Sequence, residues 1–181
     1  MSAFLNSAKL PGIWTNYDYV NAALISSIPI SVGLAELGSA ADGGAYHTFF
    51  QRAIRPKWAS QNPAFHAGTC FLTLTPLGYA TYRVIKNSAG LLSNQAKVAI
   101  AIYGLHAVLS AGFGNEVRKG NHSNVAVFKT LIAAASIGFA LSYRNIDETA
   151  FWLSVPHVAW SIFSALYHFD MYQLNESGHK H

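Results

Sequence analysis

The chain has 181 residues, of which 51% are apolar and only 11% charged, with 12 basic against 8 acidic side chains. Soluble domains carry about 25% charged residues, so this chain has too little charge to cover the surface of an ordinary aqueous globule, and it lacks the high charge of a disordered one. A single cysteine excludes an intramolecular disulfide framework and any multi-cysteine metal centre.

Residues 1–20 hold Lys9, Pro11, Gly12, Asn16 and Asp18 and no apolar core, so they do not read as a signal peptide. Residues 1–18 read instead as an interfacial segment, with Trp14 and Tyr17 suited to the headgroup zone. Five apolar runs follow, at about 19–41, 63–85, 97–115, 124–143 and 149–170. Each is close to the ~20 residues a helix needs to cross a bilayer. None alternates with the period of a membrane β-strand, and helices satisfy their own backbone hydrogen bonds, which lipid cannot do. The predicted fold is all-α: an integral membrane bundle of five transmembrane helices over 19–172, then a polar tail at 173–181.

The one long connection, 42–61, carries Arg52, Arg55 and Lys57 with Tyr46, Phe49 and Phe50, and reads as an interfacial loop with a short amphipathic turn. Pro63 suits a first helical turn. Trp58 and Trp152 mark span entrances. The count of basic residues on the two sides favours a cytosolic C-terminus by one or two charges. The pI of about 9.2 fits contact with anionic lipid heads; with no basic stripe it is not a nucleic-acid footprint.

Small residues recur every fourth position at Ser31, Ala35, Ser39 and Gly43, and again at Ala126, Thr130, Ala134, Gly138 and Ser142. Such faces let helices approach closely in lipid, within one chain or between two copies of a homodimer. Glu36, His66, His106, Lys129, His157 and His168 fall in or near spans. Intramembrane ionisable groups are functional candidates because charge is costly there. The plainer alternatives are that His66 and Lys129, and His168 and Asp170 at the end of the fifth span, snorkel to the headgroups and that Glu36 is neutral or pairs with a histidine. His157 and His168 share a face but stand about 16 Å apart along the axis, too far to bind one metal. No catalytic signature such as GxSxG or a phosphate-binding loop occurs, and Cys70 lies in an apolar run where a thiol is inert. Trp160, Phe163 and Tyr167, at i, i+3 and i+7, form an aromatic stripe that either stacks on a flat ligand or packs helices. The stretch Leu77–Arg83 fits a weak sterol-contact pattern. Asn121 and Asn175 begin glycosylation sequons, which matter only in a secretory lumen.

Taken in order, these residues resemble the TspO/MBR family of translocator and tryptophan-rich sensory proteins. The resemblance runs from about Ile28 to Tyr172. It rests on Pro29 and Gly33, on Arg55-Pro56-Lys57-Trp58, on Asn62-Pro63-Ala64-Phe65, on Gly78-Tyr79-Ala80-Thr81-Tyr82, and on Pro156-His157-Val158-Ala159-Trp160 with Phe163. The chain departs from the family pattern at His106, Val125, Lys129 and His168, and near Thr69 and Cys70. The resemblance implies five helices around an apolar pocket covered by the long first loop. It implies binding or transport of an apolar small molecule, a tetrapyrrole such as haem or protoporphyrin or a sterol. With no catalytic constellation visible, the chain does not read as an enzyme, and no obligatory cofactor is expected. Carried over by position, Trp160, Ala159, Phe163 and His168 line the pocket and Trp58 braces the loop; His106, where the family has a glutamine, joins the set. The membrane it implies is the mitochondrial outer membrane or that of another organelle. Two other functions stay open: a structural subunit of a larger membrane complex, which need not keep the family's pocket residues, and a tetrapyrrole-degrading membrane enzyme.

Overall fold

The computed structural model describes residues 14–88 and 93–177. Residues 1–13, most of the N-terminal segment read above, lie outside them, as do residues 178–181. Six helices and no strand are found among the described residues: α1 (Asn16–Ala40), α2 (Ala45–Arg52), α3 (Pro63–Asn87), α4 (Asn94–Lys119), α5 (His122–Arg144) and α6 (Glu148–Ser177). The last helix therefore continues through 173–177, where a polar tail was expected.

Local chemistry sets the helix ends. Thr15 and Asp18 form a capping box at α1: the Asp18 carboxylate accepts from the Thr15 N–H at 2.7 Å, and the Thr15 hydroxyl accepts from the Asp18 N–H at 3.3 Å. Asn62 caps α3, with Pro63 in the first turn. Gly120 ends α4 with φ of 71°, a left-handed conformation that costs glycine nothing. Asn121 then caps α5. Its sequon asparagine thus has a structural task.

α1 packs on α3, α3 on α6, α6 on α5 and α5 on α4. Contact between α4 and α1 is thin, so the ring is nearly open at that seam. The short α2 crosses one end of the ring and touches α1, α3 and α4. Its aromatics do not face headgroups: Tyr46, Phe49 and Phe50 are buried. With Ala67, Phe113, Tyr167 and Met171 they form one apolar cluster, while Leu74, Leu77, Tyr103, Phe139 and Tyr143 form another.

The outer surface is apolar. Leu24, Leu72, Leu105, Val108, Leu131, Leu141 and Leu166 all face outward, a pattern that lipid accepts and water does not. α1, α4, α5 and α6 are long and apolar enough to cross a membrane. α3 does not reach that level of apolarity, although it has 25 residues. The physical reason lies in its composition: Thr69, Thr73, Thr75, Thr81, Tyr79 and Tyr82 give it hydroxyls that bond within the bundle, as Thr81 does to Tyr143 at 2.7 Å.

The small-residue ladder of α1 is not its packing face, since Ser31 and Ala35 are exposed. Close approach occurs one face away. A Cβ on Gly78 would fall 2.2 Å from the Cα of Ser26, and one on Gly33 would fall 2.7 Å from the Phe71 ring. Gly78→Ala is therefore expected to push α3 off α1 and cost about 1–3 kcal/mol. Gly38→Ala, which meets nothing within 4 Å, is expected to leave the melting temperature in detergent unchanged or raise it.

Outside the apolar layer, Asp147, in the turn between α5 and α6, ties that turn to α3 and to the start of α6. The Arg83 guanidinium reaches its carboxylate at 2.9–3.2 Å, the Ala150 N–H donates to it at 2.7 Å, and the Asn87 amide also donates to it. Burial pushes the Asp147 carboxyl up, but Arg83, the Ala150 N–H and Asn87 together hold it below its ordinary value. A carboxylate depressed in the folded state stabilises above its unfolded pKa of about 3.9, and that contribution is lost as pH falls through the folded value. Asp147→Asn is expected to cost about 1–3 kcal/mol at neutral pH. Melting curves should show the gap to wild type narrowing as pH falls below about 4.

Candidate functional site

The bundle interior is polar at its middle. Lys129 of α5 is only 5% exposed and reaches Glu36 of α1, Nζ to Oε1 3.4 Å. The same ammonium sits 3.8 Å from the centre of the Phe113 ring, a cation–π contact. Lys129 therefore does not snorkel, and Glu36 pairs with a lysine rather than a histidine. The reason is geometric: an opposite charge inside the bundle holds the ammonium more firmly than the distant interface does.

The buried histidines form two chains. The Thr73 hydroxyl donates to the Thr69 carbonyl at 3.0 Å, which leaves its oxygen to accept from His157 Nδ1 at 3.2 Å. That assignment makes His157 Nε2 an acceptor, and His106 Nε2 donates to it at 3.0 Å. Ser161 adds a contact at 3.2 Å. In the second chain, His168 Nδ1 donates to the Ser164 carbonyl at 2.8 Å and its Nε2 accepts from the Tyr46 hydroxyl at 3.3 Å. His66 Nε2 donates to the Ser60 carbonyl at 2.7 Å, so it too is held inside.

The aromatic stripe on α6 exists. Trp160 stacks on Phe163 with centroids 5.0 Å apart, and Phe163 on Tyr167 at 6.4 Å. Two groups already cover it. His66 lies 4.4 Å from Tyr167 and 5.8 Å from Trp160, and Trp58 meets Phe163 edge-on at 5.6 Å. Trp58 Nε1 also donates to Asp170 at 2.7 Å, which pins the long loop to α6. Asn175 does the same for Ile54, accepting from its N–H and donating to its carbonyl, both at 2.9 Å.

Of the six residues expected at the site, the fold brings together Trp58, Trp160 and Phe163. His168 is buried on the adjoining face of α6 against Tyr46, and His106 lies at His157. Ala159 is exposed on the outer face, turned away from the interior. The sequence reading missed the Glu36–Lys129 pair as a pair, and also Asp170 and Asn175 as loop ties. Two opposite charges, each alone in an apolar run, were the available signal for the first. Nothing in the local sequence marks the second.

The sterol-contact stretch is otherwise engaged. Leu77 is fully buried and Arg83 is bound to Asp147.

Space inside is unevenly shared. A central void of about 20 Å³ lies among Cys70, Lys129, His157, Trp160 and Ser161, room for roughly one water. A far larger cleft of about 370 Å³ opens at the α1–α4 seam, lined by Ser31, Ala35, Ser39, Ala111 and Gly114 and floored by Tyr46. Val32, Glu36, Ser110 and Phe113 line both spaces and form the wall between them.

These features define a multi-pass helical membrane protein with a polar-centred bundle, a docked loop helix and a lateral cleft. The TspO/MBR family model matches residues 25–174, and the chain belongs to the TspO/MBR family. No curated protein matches the chain.

The buried pair has a measurable consequence. Lys129→Met alone leaves a buried carboxylate without its partner and is expected to cost about 3–5 kcal/mol. Adding Glu36→Gln is expected to recover most of that loss, as read by thermal unfolding of the three variants in detergent.

Proposed function

We propose that this protein binds, and passes across or along an organelle membrane, a flat apolar small molecule of the tetrapyrrole or sterol type. In this reading α3 is the fifth crossing and the mitochondrial outer membrane is the foremost location. The observation that carries it is the shared wall. Movement of Val32, Glu36, Ser110 and Phe113 joins the 370 Å³ cleft to the void beside Trp160. The joined space reaches the several hundred Å³ typical of ligand pockets. Trp160 meets the ligand, Phe163 and Trp58 brace it from behind, and His106 and His168 act through His157 and Tyr46. Ala159 has no part in it. Membership of the TspO/MBR family supports the ligand class, and no catalytic step is assigned.

Titration with protoporphyrin or haem is expected to quench tryptophan fluorescence saturably. The quench is expected to be largely lost in Trp160→Phe, with Trp14, Trp58 and Trp152 kept. Absence of saturation, or equal quenching in the variant, refutes this reading. The closely packed interior favours a second reading, a structural subunit of a membrane complex. A discrete high-mass band in native gels, together with no ligand binding, selects it.

A further inference from the structure

The α1–α4 cleft does not end at Tyr46. Ala45, Val117 and Arg118 line both it and a second cavity of about 400 Å³. That cavity lies where α2, the end of α4 and the first turn of α5 meet, and its walls include Arg52, Arg118, Lys119 and His122. An apolar slot open to the lipid side thus runs into a basic basin at one end of the bundle.

The charges of the basin are not all available. Lys119 is paired with Glu116 at 2.6 Å, and the other Glu116 oxygen accepts from Asn124 at 2.8 Å. Among the described residues, Arg52 and Arg118 are in no ion pair, and both are exposed. Asp42 is held by His47 at 3.3 Å, and Glu176 acts on His122. The first turn of α5 adds the positive end of a helix dipole. Arg118 also complements the C-terminus of α4, but that role calls for neither a cavity nor a second arginine across it.

We propose that this joined surface holds one anionic phospholipid of the surrounding leaflet. Its phosphate lies between Arg52 and Arg118, and one acyl chain lies in the cleft against Ser31, Ala35 and Ala111. Juxtamembrane basic side chains each draw anionic lipid by about 1 kcal/mol. The small side chains of the cleft leave the width that a chain fills, so headgroup and tail are recognised together. The site shares its cleft with the proposed ligand route, but it needs no movement of the inner wall, so lipid retention and quenching are read separately.

The test uses the full chain in nanodiscs of phosphatidylcholine and phosphatidylglycerol in equal amounts, extracted gently and weighed by native mass spectrometry. One retained lipid per chain is expected, enriched in phosphatidylglycerol. Arg52→Ala and Arg118→Ala should each lower the enrichment roughly fivefold, the loss equivalent to about 1 kcal/mol. Arg118→Lys should keep most of it, since a point charge still draws phosphate. Ala35→Leu, at an exposed position, should fill the slot and remove retention of either lipid without changing the melting temperature.

Equal retention of both lipids by the wild type overturns the proposal, as does enrichment that survives the double arginine variant. A lipid-free dimer would place a second copy in the cleft, and displacement by millimolar inorganic phosphate would reduce the basin to a simple anion site; either result also overturns it. Loss of porphyrin quenching with lipid enrichment intact would sink the functional reading alone.

Discussion

The absence of water around the bundle is the constraint on which the structure depends. Lipid offers no hydrogen-bond partner, so buried polar groups must find one another across helices. Glu36 and Lys129 do so at 3.4 Å, between helices that are not neighbours in the ring. His106, His157, Thr73 and Ser161 do so in a chain whose tautomers follow from one threonine hydroxyl. Apolar side chains, meanwhile, both fill the two interior clusters and cover the outside. Unlike a soluble bundle, the outer surface is therefore apolar as well, and the few interior polar groups are set by the partners they meet.

Two consequences follow for the site. The α6 stripe of Trp160, Phe163 and Tyr167 is not an empty platform, because His66 and Trp58 occupy it. Packing and recognition therefore draw on the same rings, and a ligand that reaches Trp160 does so from the side of the Glu36 wall. The open seam, in contrast, exists because α4 touches α1 so little and because the facing side chains there are small. A ladder that reads as a packing face in the sequence is in fact the lining of a cleft. The actual α1 contact runs through Gly78 against Ser26 and Gly33 against Phe71.

The long first loop gains its order from several weak ties rather than one strong one. Tyr46 meets His168, Trp58 meets Asp170, and Ile54 meets Asn175. All three partners lie in the C-terminal part of α6, and Asn175 lies in the stretch by which that helix extends beyond the apolar run to Ser177. The loop helix α2 closes the end of the ring with buried aromatics, and its basic Arg52 faces the same basin as Arg118.

The sequence by itself determined the class: apolar runs near 20 residues, few charges and the ordered anchors from Pro29 to Trp160 give a membrane helical bundle of the TspO/MBR family. Those signals are local, because helix length, caps and outward apolarity are properties of consecutive residues. It did not determine which small-residue face packs, that Ala159 turns outward, that Lys129 turns inward, or that the aromatic face of α2 is buried. Each of those depends on helix rotation and on partners distant in the chain, such as Glu36 for Lys129 and Asp170 for Trp58. Only the tertiary structure decides them, because in lipid the energy of a polar or aromatic side chain lies in the neighbour it meets.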